Sequence, residues 1–356
     1  MKSKILVCLL AIMLVLSACS APSTPAATVQ PAVETKAPEA TEAPAPVDAS
    51  KPGEGKKLAV MLQNVEDEFL VALNGAATER AESYGFQVVF LDAKRDAATQ
   101  ASQVQDVIAQ HIDAVMMAPV DAAALSESVK LLNDANIPVT LVDRTVEEGN
   151  YVALSESDNV EFGRQAAQLI VDFAQKAGIA VADLKVLELQ GDLASTSGRD
   201  RSAGFQEKAK ELGLNIVASL PTNWKSDVAY NSIMDGFQKN PDINAIFLPS
   251  DSVCGDPLVS AEEQLGKMAK VGESGHIIAV GVDGSPGAIQ YIKDGYLDAT
   301  CSQPAIDMAY AAIDKLVEAL QGKVAMDAKE AIQLPPTVAT SENADSPELW
   351  ANIVSK

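Results

Sequence analysis

Short apolar segments alternate with longer segments of helical periodicity along most of this chain, and this alternation limits the folds open to it. Four strand-like segments rich in Val, Met, Leu and Ile are followed by four more. They lie at residues 57–63, 87–91, 114–118 and 139–142, and then at 185–189, 215–219, 245–248 and 277–282. Between them, apolar residues recur at three- and four-residue spacing, which predicts helices. Continuous apolar strands separated by helices are typical of parallel sheets covered on both faces. The pattern therefore predicts an α/β protein with two doubly wound parallel-sheet lobes.

The first residues predict export and attachment of lipid. Lys2 and Lys4 precede an apolar run at residues 5–16, which is too short to span a bilayer comfortably but suits a signal peptide. The run ends in Leu-Ser-Ala-Cys, which resembles the bacterial lipobox, whose cysteine is lipidated and becomes the new N-terminus. An ordinary secretory signal with a chance cysteine is the alternative. We expect residues 1–19 to be a lipoprotein signal peptide and Cys19 to anchor the exported protein to a membrane.

The next segment differs in composition from the rest of the chain. Residues 20–55 are rich in Pro, Ala, Thr and Glu and lack apolar periodicity, as in APEATEAPAPVDASKPGEG. Such a segment cannot bury enough apolar surface to fold. We expect a disordered linker that holds the folded part away from the membrane.

The charge of the chain excludes one class of partner. The formal net charge is -22, with 49 acidic and 27 basic residues. A surface this acidic repels phosphate backbones, so we expect no nucleic-acid binding. It also disfavours adhesion to anionic lipid through a basic patch. No segment after residue 19 is long and apolar enough to span a membrane, so we expect attachment through the lipid alone.

Motifs of catalysis, phosphate binding and metal binding are missing from the sequence. Neither GxxxxGK[ST] nor GxGxxG follows a strand, and the glycines of GVDGSPG have the wrong spacing for a dinucleotide site. The histidines, His111 and His276, form no HExxH motif, and no GxSxG or DxDxDG occurs. Cys254 and Cys301 could pair in an exported protein or remain small buried residues; we interpret them as unpaired, because there is no dense cysteine framework. We expect no cofactor, no metal and no enzymatic activity.

Polar and aromatic side chains collect where the predicted strands end. Parallel α/β sheets bind ligands at the carboxyl ends of their strands, so these positions are candidates for a site. An aspartate after a strand often only caps the next helix, and a lone tryptophan often only packs. Recurrence of such residues at one end of most strands favours a ligand site instead. Carboxylates and guanidinium groups bind vicinal hydroxyls, and an aromatic ring covers the apolar face of a sugar. The ligand-binding residues predicted at these positions are Gln63, Asp67, Phe69, Asp143, Arg144, Arg199, Trp224, Ser250, Asp283 and Gln303.

From about Lys57 to Gln333 the chain resembles the ribose-binding protein family, the type I periplasmic sugar-binding proteins. The resemblance is carried by segments such as LDAKRDAATQASQVQDVIAQHIDAVMMAPVDA, ESDNVEFGRQAA, ELQGDLASTSGRDRSAGF and AVGVDGSPGAIQYIKDGYLDATCSQP. It implies two lobes joined by a three-stranded hinge, with crossings near Ser157, Gln303 and Gln333. The N-terminal lobe would comprise residues 56–157 and 303–332, and the C-terminal lobe residues 158–302 and 333–356.

The resemblance also implies roles for individual residues. Direct sugar contacts would come from Asp143, Arg144, Arg199, Asp283 and Gln303, and stacking rings from Phe69 and Trp224. Four positions depart from the family's ribose site. Asp67 and Ser250 stand where the family has asparagine, Leu70 where it has a second aromatic residue, and Gln63 where it has serine. A pentose, a hexose and a cyclic polyol all stay open as ligands.

The function implied is that of an extracytoplasmic solute-binding lipoprotein, a monomer that captures a small sugar and delivers it to the permease of an ABC importer. A sensor that presents the bound sugar to a membrane receptor is an alternative. Repressor effector domains share the fold, but here the signal and linker occupy the place of their DNA-binding helices. An enzyme using Asp67 and Asp251 as an acid/base pair would still lack a nucleophile or a metal.

Overall fold

Two six-stranded sheets, each flanked by helices, make up the part of the protein that the structure describes. The structure is a computed structural model, and it describes residues 51–354. The predicted signal peptide, the predicted lipid site at Cys19 and residues 20–50 of the predicted linker lie outside the described residues.

The strands are short, and the central ones are apolar and fully buried, as expected for strands covered on both faces. In chain order they are β1 Lys57–Leu62, β2 Gln87–Asp92, β3 Ala114–Met117, β4 Val139–Val142, β5 Ala153–Ser157, β6 Lys185–Gln190, β7 Asn215–Pro221, β8 Ala245–Phe247, β9 Ile278–Asp283, β10 Ala299–Ser302, β11 Glu330–Leu334 and β12 Thr337–Thr340.

The helices lie between the strands, and several begin at an Asp or Ser whose side chain accepts a hydrogen bond from the first turn. They are α1 Glu68–Ser83, α2 Ala97–Ala109, α3 Ser126–Asp134, α4 Asn159–Lys176, α5 Thr196–Leu212, α6 Ser226–Lys239, α7 Asp251–Leu265, α8 Pro286–Asp294, α9 Ala305–Leu320 and α10 Trp350–Val354, with a 3-10 helix at Val181–Asp183.

The two sheets have matching topologies. The spatial order is β11-β5-β4-β3-β1-β2 in the first sheet and β12-β10-β9-β8-β6-β7 in the second. All neighbouring strands are parallel, except that β12 lies antiparallel to β10 at the edge of the second sheet. The strand order reverses at β1 in one sheet and at β6 in the other. This confirms the predicted fold class of two doubly wound lobes.

The chain passes between the sheets three times. It leaves the first sheet after β5, returns to the first lobe after β10, and passes to the second sheet between β11 and β12. Helix α4 then packs in the core of the second sheet through Phe162, and α9 packs in the core of the first through Met308. Strand β11 pairs with β5 as far as Leu334, so the first sheet extends past the boundary expected at residue 332.

Residues 51–55, which we expected in the linker, belong to the folded part. They form a turn in which the amide of Gly53 donates a hydrogen bond to the carbonyl of Tyr84 at 2.9 Å. A Cβ atom at Gly53 would lie 2.4 Å from the ring of Phe86. The chain therefore packs closely against this ring only because residue 53 is glycine.

The described residues can be compared with the expectations of unpaired cysteines, of no membrane-spanning segment and of no metal site. Cys254 on α7 and Cys301 on β10 are both buried and unpaired. Within residues 51–354 no helix combines the length and apolarity needed to cross a bilayer. In the same residues, no group of three or more His, Cys, Asp or Glu side chains is arranged to hold a metal ion.

Candidate functional site

A cavity between the two sheets gathers side chains from the carboxyl ends of strands in both lobes. Its lining residues are Asp67, Phe69, Leu70, Asp143, Arg144, Ser197, Arg201, Trp224, Ser250, Asp283 and Gln303. Eight of the ten predicted ligand residues are among these, and the exceptions are Gln63 and Arg199. The structure therefore brings most of the predicted set to one place.

The turn after β4 supplies an adjacent acid and base from the first lobe. Asp143 adopts a left-handed backbone conformation with φ of 64°, which aspartate tolerates better than most residues. Arg144 Nε donates a hydrogen bond to Asp143 Oδ2 at 3.0 Å, and both residues are buried. The turn thus directs two neighbouring side chains into the same cavity.

Gln63 lies behind this turn and does not line the cavity. Its Nε2 donates to Asp143 Oδ2 at 3.5 Å, while its buried Oε1 has no partner among the described residues. The structure therefore gives Gln63 a supporting position behind Asp143 and does not place it among the lining residues.

The N-terminus of α1 contributes a carboxylate and an aromatic ring. Asp67 caps the helix, because its Oδ1 accepts a hydrogen bond from the amide of Phe69 at 3.0 Å. Its side chain lines the cavity at the same time, so the capping and ligand-site interpretations are compatible. Phe69 is buried and packs edge-on against Trp350, with ring centroids 6.4 Å apart.

Asp283 is the centre of the second-lobe side. Its Oδ1 accepts hydrogen bonds from Arg201 Nη1 at 3.3 Å and from Gln303 Nε2 at 2.6 Å. Its Oδ2 accepts one from Ser250 Oγ at 2.6 Å. Arg201 also donates to Asn159 Oδ1 at 2.8 Å. These contacts hold the carboxylate of Asp283 at the end of β9.

Arg199, which was predicted to contact the ligand, does not line this cavity, and Arg201 lines it instead. Arg199 is exposed, and its Nη1 donates to the carbonyl of Leu193 at 3.3 Å. Residues two positions apart on a helix point about 200° apart, so the two arginines of α5 lie on opposite faces. Ser197, Arg201 and Phe205 recur at four-residue spacing and are all buried. In the sequence, the apolar Phe205 identifies the buried face of α5. Arg201 lies four residues before it on that face, and Arg199 does not.

Trp224 covers one side of the cavity from the second lobe. Its indole Nε1 donates to Ser195 Oγ at 3.1 Å. A Cβ atom on Gly191 would lie 2.2 Å from its ring, so the ring packs directly on the backbone there. The guanidinium of Arg144, from the first lobe, lies 5.3 Å from the centroid of the ring. The aromatic wall of one lobe therefore contacts a cation of the other.

The negative charges of Asp67 and Asp283 in the cavity are only partly balanced by nearby cations and hydrogen-bond donors. Burial and the nearby charge of Asp283 raise the pKa of Asp67. Burial also raises the pKa of Asp283, although Arg201 and the hydrogen bonds of Ser250 and Gln303 oppose this. Additional hydrogen-bond donors in the cavity would therefore stabilise the charged carboxylates.

Asp251 has a different role from the one the acid/base alternative would give it. It does not line the cavity. Its carboxylate accepts hydrogen bonds from the amides of Gly284 and Ser285, both at 3.0 Å, and from the hydroxyl of Thr300. Asp251 therefore holds the turn that follows β9.

Two buried polar atoms of the lining have no hydrogen-bond partner among the described residues. They are Ser197 Oγ and Gln303 Oε1. Ser197 is not among the residues predicted from the sequence. Unpaired polar atoms in a buried cavity are costly unless a bound molecule or water satisfies them. They are therefore available to a polar ligand.

The lobes are closed over the cavity. Its free volume is about 10 Å³, roughly the space of one water molecule. Two hydrogen bonds join the lobes, from the amide of Ala122 to the carbonyl of Ala194 and from the amide of Thr145 to the side-chain Oγ1 of Thr196, both at 3.4 Å. A larger ligand therefore enters only when the lobes separate and the lining side chains rearrange.

Comparison with known proteins gives matches over most of the described chain. The profile of a periplasmic binding protein domain matches residues 58–324. The ribose import binding protein of Salmonella typhimurium is 31% identical over 248 residues, which are 69% of this chain and 78% of that protein. An ABC transporter solute-binding protein from Agrobacterium vitis with bound D-fucose has a TM-score of 0.73 and 25% identity, and the match covers 83% of this chain and 99% of that one. The myo-inositol-binding protein of Caulobacter, bound to myo-inositol, has a TM-score of 0.73 and 24% identity, covering 82% and 96%.

Proposed function

Because this chain belongs to the periplasmic binding protein family, a family of substrate-binding proteins and not of enzymes, we propose that it captures a small sugar outside the cytoplasm and delivers it to the permease of an ABC importer. The relatives described above include a ribose import binding protein and an ABC transporter solute-binding protein. The family places the protein on the extracytoplasmic side of the membrane.

The chemistry of the cavity is the observation that carries the proposal. Asp143 and Asp283 offer hydrogen-bond acceptors, while Arg144 and Arg201 offer donors in a fork that fits two adjacent hydroxyls. Trp224 supplies a ring face for the C–H side of a sugar. A neutral polyhydroxylated ring uses all of these groups, since it carries both donors and acceptors around an apolar centre.

The unpaired atoms of the lining fit the same ligand class. Ser197 Oγ can donate or accept, and Gln303 Oε1 accepts. Sugar hydroxyls that donate to Asp67 and Asp283 would favour the charged forms of these carboxylates, whose pKa values burial raises.

The proposed ligand is a monosaccharide or a cyclic polyol. Asp67 and Leu70 line the cavity at positions where the family's ribose site has asparagine and an aromatic residue. The names of the relatives described above mention ribose, D-fucose and myo-inositol. All three compounds therefore belong in the set of ligands to be tested.

We also propose that lipid on Cys19 anchors the protein, with residues 20–50 as the tether. The support is the lipobox-like sequence at the end of a short apolar run. An anchored binding protein stays close to its permease, which raises the local concentration of captured sugar there.

A ligand screen tests the proposal. The melting temperature is measured with ribose, D-fucose, D-allose, myo-inositol and xylitol, and each positive is titrated by calorimetry. We expect at least one to bind tightly with one site per chain and to be recovered unchanged. The function is wrong if a sugar is converted to product, or if no sugar or polyol raises the melting temperature.

A further inference from the structure

A second concave surface lies beside the sugar cavity. This groove, formed by α1, α9, α10 and the start of α8, has a volume of about 680 Å³. Three apolar side chains at its edge are about half exposed: Val71 at 52%, Ile353 at 45% and Val354 at 48%. Contiguous exposed apolar surface with a polar rim is typical of protein interaction sites. The sugar cavity does not use these residues.

Gly75 leaves the middle of the groove open. It lies in the third turn of α1, where glycine weakens a helix. A Cβ atom there would meet nothing within 4 Å, and the residue is not among those with positive φ. Neither packing within the described chain nor backbone conformation requires glycine at this position. Its lack of a side chain does, however, allow another chain to approach α1 closely.

The charges at the groove define what fits it. The charged side chains that line it are all carboxylates, from Glu66, Glu68 and Glu79. Glu66 lies 3.7 Å from Arg95, whereas within residues 51–354 Glu68 and Glu79 form no ion pair. An occupant with apolar side chains flanked by lysine or arginine would complement both the apolar edge and the rim.

Charge also disfavours binding in the groove by a second copy of this protein or by its own residues 20–50. A second copy would bring the same acidic rim and a net charge of -22. Residues 20–50 carry four acidic residues and one lysine, so this segment is acidic as well. A separate basic partner is the occupant that the charges favour.

Trp350 connects the groove with the sugar site. Trp350 lines the groove, and its Nε1 donates to the backbone carbonyl of Asp283 at 2.8 Å. Its ring also packs edge-on against Phe69 at 6.4 Å. Asp283 and Phe69 line the sugar cavity on opposite lobes. A molecule in the groove therefore touches a residue that bridges both halves of the site.

We propose that this groove docks an amphipathic helical segment bearing lysine or arginine, supplied by a membrane protein partner. The inference rests on the proposed function in one respect, since the import permease is then the protein that carries the segment. The segment's apolar face contacts Val71 and Ile353 across Gly75, and its basic residues pair with Glu68 and Glu79.

Labelled peptides of defined charge test this proposal. A fluorescent 16-residue helix of leucine and lysine, and its counterpart of leucine and glutamate, are titrated with the full chain in mild detergent, and anisotropy is measured. We expect only the lysine peptide to bind. Gly75→Phe should weaken its binding at least tenfold, and the pair Glu68→Gln with Glu79→Gln should weaken it several-fold.

Matched variants separate docking from attraction to a negative protein. The pair Asp134→Asn with Glu147→Gln removes the same charge from exposed positions outside the groove, and binding should be unchanged. If Gly75→Phe fails to fold, Val71→Ser with Ile353→Ser, at exposed positions, replaces it and should weaken binding similarly. Equal weakening by the control pair, or wild-type binding by the groove variants, would overturn the proposal. Sugar titrations of the same proteins test the proposed function separately.

Discussion

The guanidinium of Arg144 in the first lobe lies 5.3 Å from the ring centroid of Trp224 in the second lobe. Both residues line the cavity, so this cation–π contact exists only while the lobes are closed. The site is divided between the lobes in the same way: Asp143 belongs to the first and Asp283 to the second. A ligand that contacts both halves stabilises the closed form by the contacts it gains there.

Closure should be visible as a change of shape. We expect small-angle scattering to show a smaller radius of gyration with saturating sugar, by about an ångström, because the lobes hinge without collapsing. Trp224→Ala should bind more weakly and show a smaller change at the same sugar concentration. Equal radii with and without bound sugar in the wild type would contradict the hinge mechanism.

The close packing of α4 on α5 should control the position of Arg201. A Cβ atom at Gly204 would lie 2.0 Å from the carbonyl oxygen of Val160, so Gly204→Ala forces the two helices apart. We expect it to destabilise the protein by about 1–3 kcal/mol and to weaken sugar binding, because Arg201 lies on the same helix. Ala203→Ser, an equally small addition at an exposed position of α5, is the control and should change neither. Chemical denaturation and calorimetry measure the two effects, and unchanged affinity in a folded Gly204→Ala protein would refute the coupling.

Glu262 should make stability depend on pH. It is 2% exposed on α7, and burial raises its pKa to about 7. Because the folded-state pKa exceeds the ordinary value of about 4.3, the folded state binds more protons between these two pH values, and stability falls as the pH rises through that window. Glu262→Gln should therefore stabilise the protein relative to the wild type by about 1–3 kcal/mol at pH 8 and much less at pH 5. Denaturation at both pH values checks this, and an equal difference at each would show that ionisation of Glu262 is not the cause.

Lipid attachment has a direct test in cells. Cys19→Ala should move the protein from the membrane fraction to the soluble fraction, and labelled fatty acid should enter only the wild type. Cys8→Ala, which changes the other cysteine of the predicted signal peptide, should have no effect. Unchanged partitioning of Cys19→Ala would refute the anchor.

Much of the architecture follows from the sequence because the central strands are short but mostly apolar runs. The segments containing β1, β3, β4 and β9 were recognised for that reason. By contrast, β5 reads ALSES, β10 reads ATCS and β12 reads TVAT. These strands lie at or near the edges where the chain crosses between lobes, and they lack a continuous apolar run. Periodicity could not identify them, and only the resemblance indicated crossings near two of them.

The candidate site was predictable where a residue directly follows a strand. Asp143 immediately follows β4, and Asp283 is the last residue of β9. The direction of each strand therefore fixes the position of its aspartate in the cavity. Arg201 lies inside a helix instead, where an error in the helical phase moves a side chain to the opposite face. The sequence offered two arginines, and the buried face of α5 selects the second.

The two arginines of α5 also provide the most direct test of the site. Arg201 contacts Asp283 at 3.3 Å in the cavity, whereas Arg199 is exposed. Calorimetry with the tightest-binding sugar should show that Arg201→Ala loses about 2–4 kcal/mol of binding free energy, roughly thirty- to a thousandfold in affinity. Arg201→Lys should lose less binding free energy, since lysine keeps the positive charge but cannot donate two parallel hydrogen bonds as a guanidinium does. Arg199→Ala should bind as the wild type does. Unchanged affinity in a folded Arg201→Ala protein, or a comparable loss in Arg199→Ala, would contradict the assignment of this cavity as the sugar-binding site.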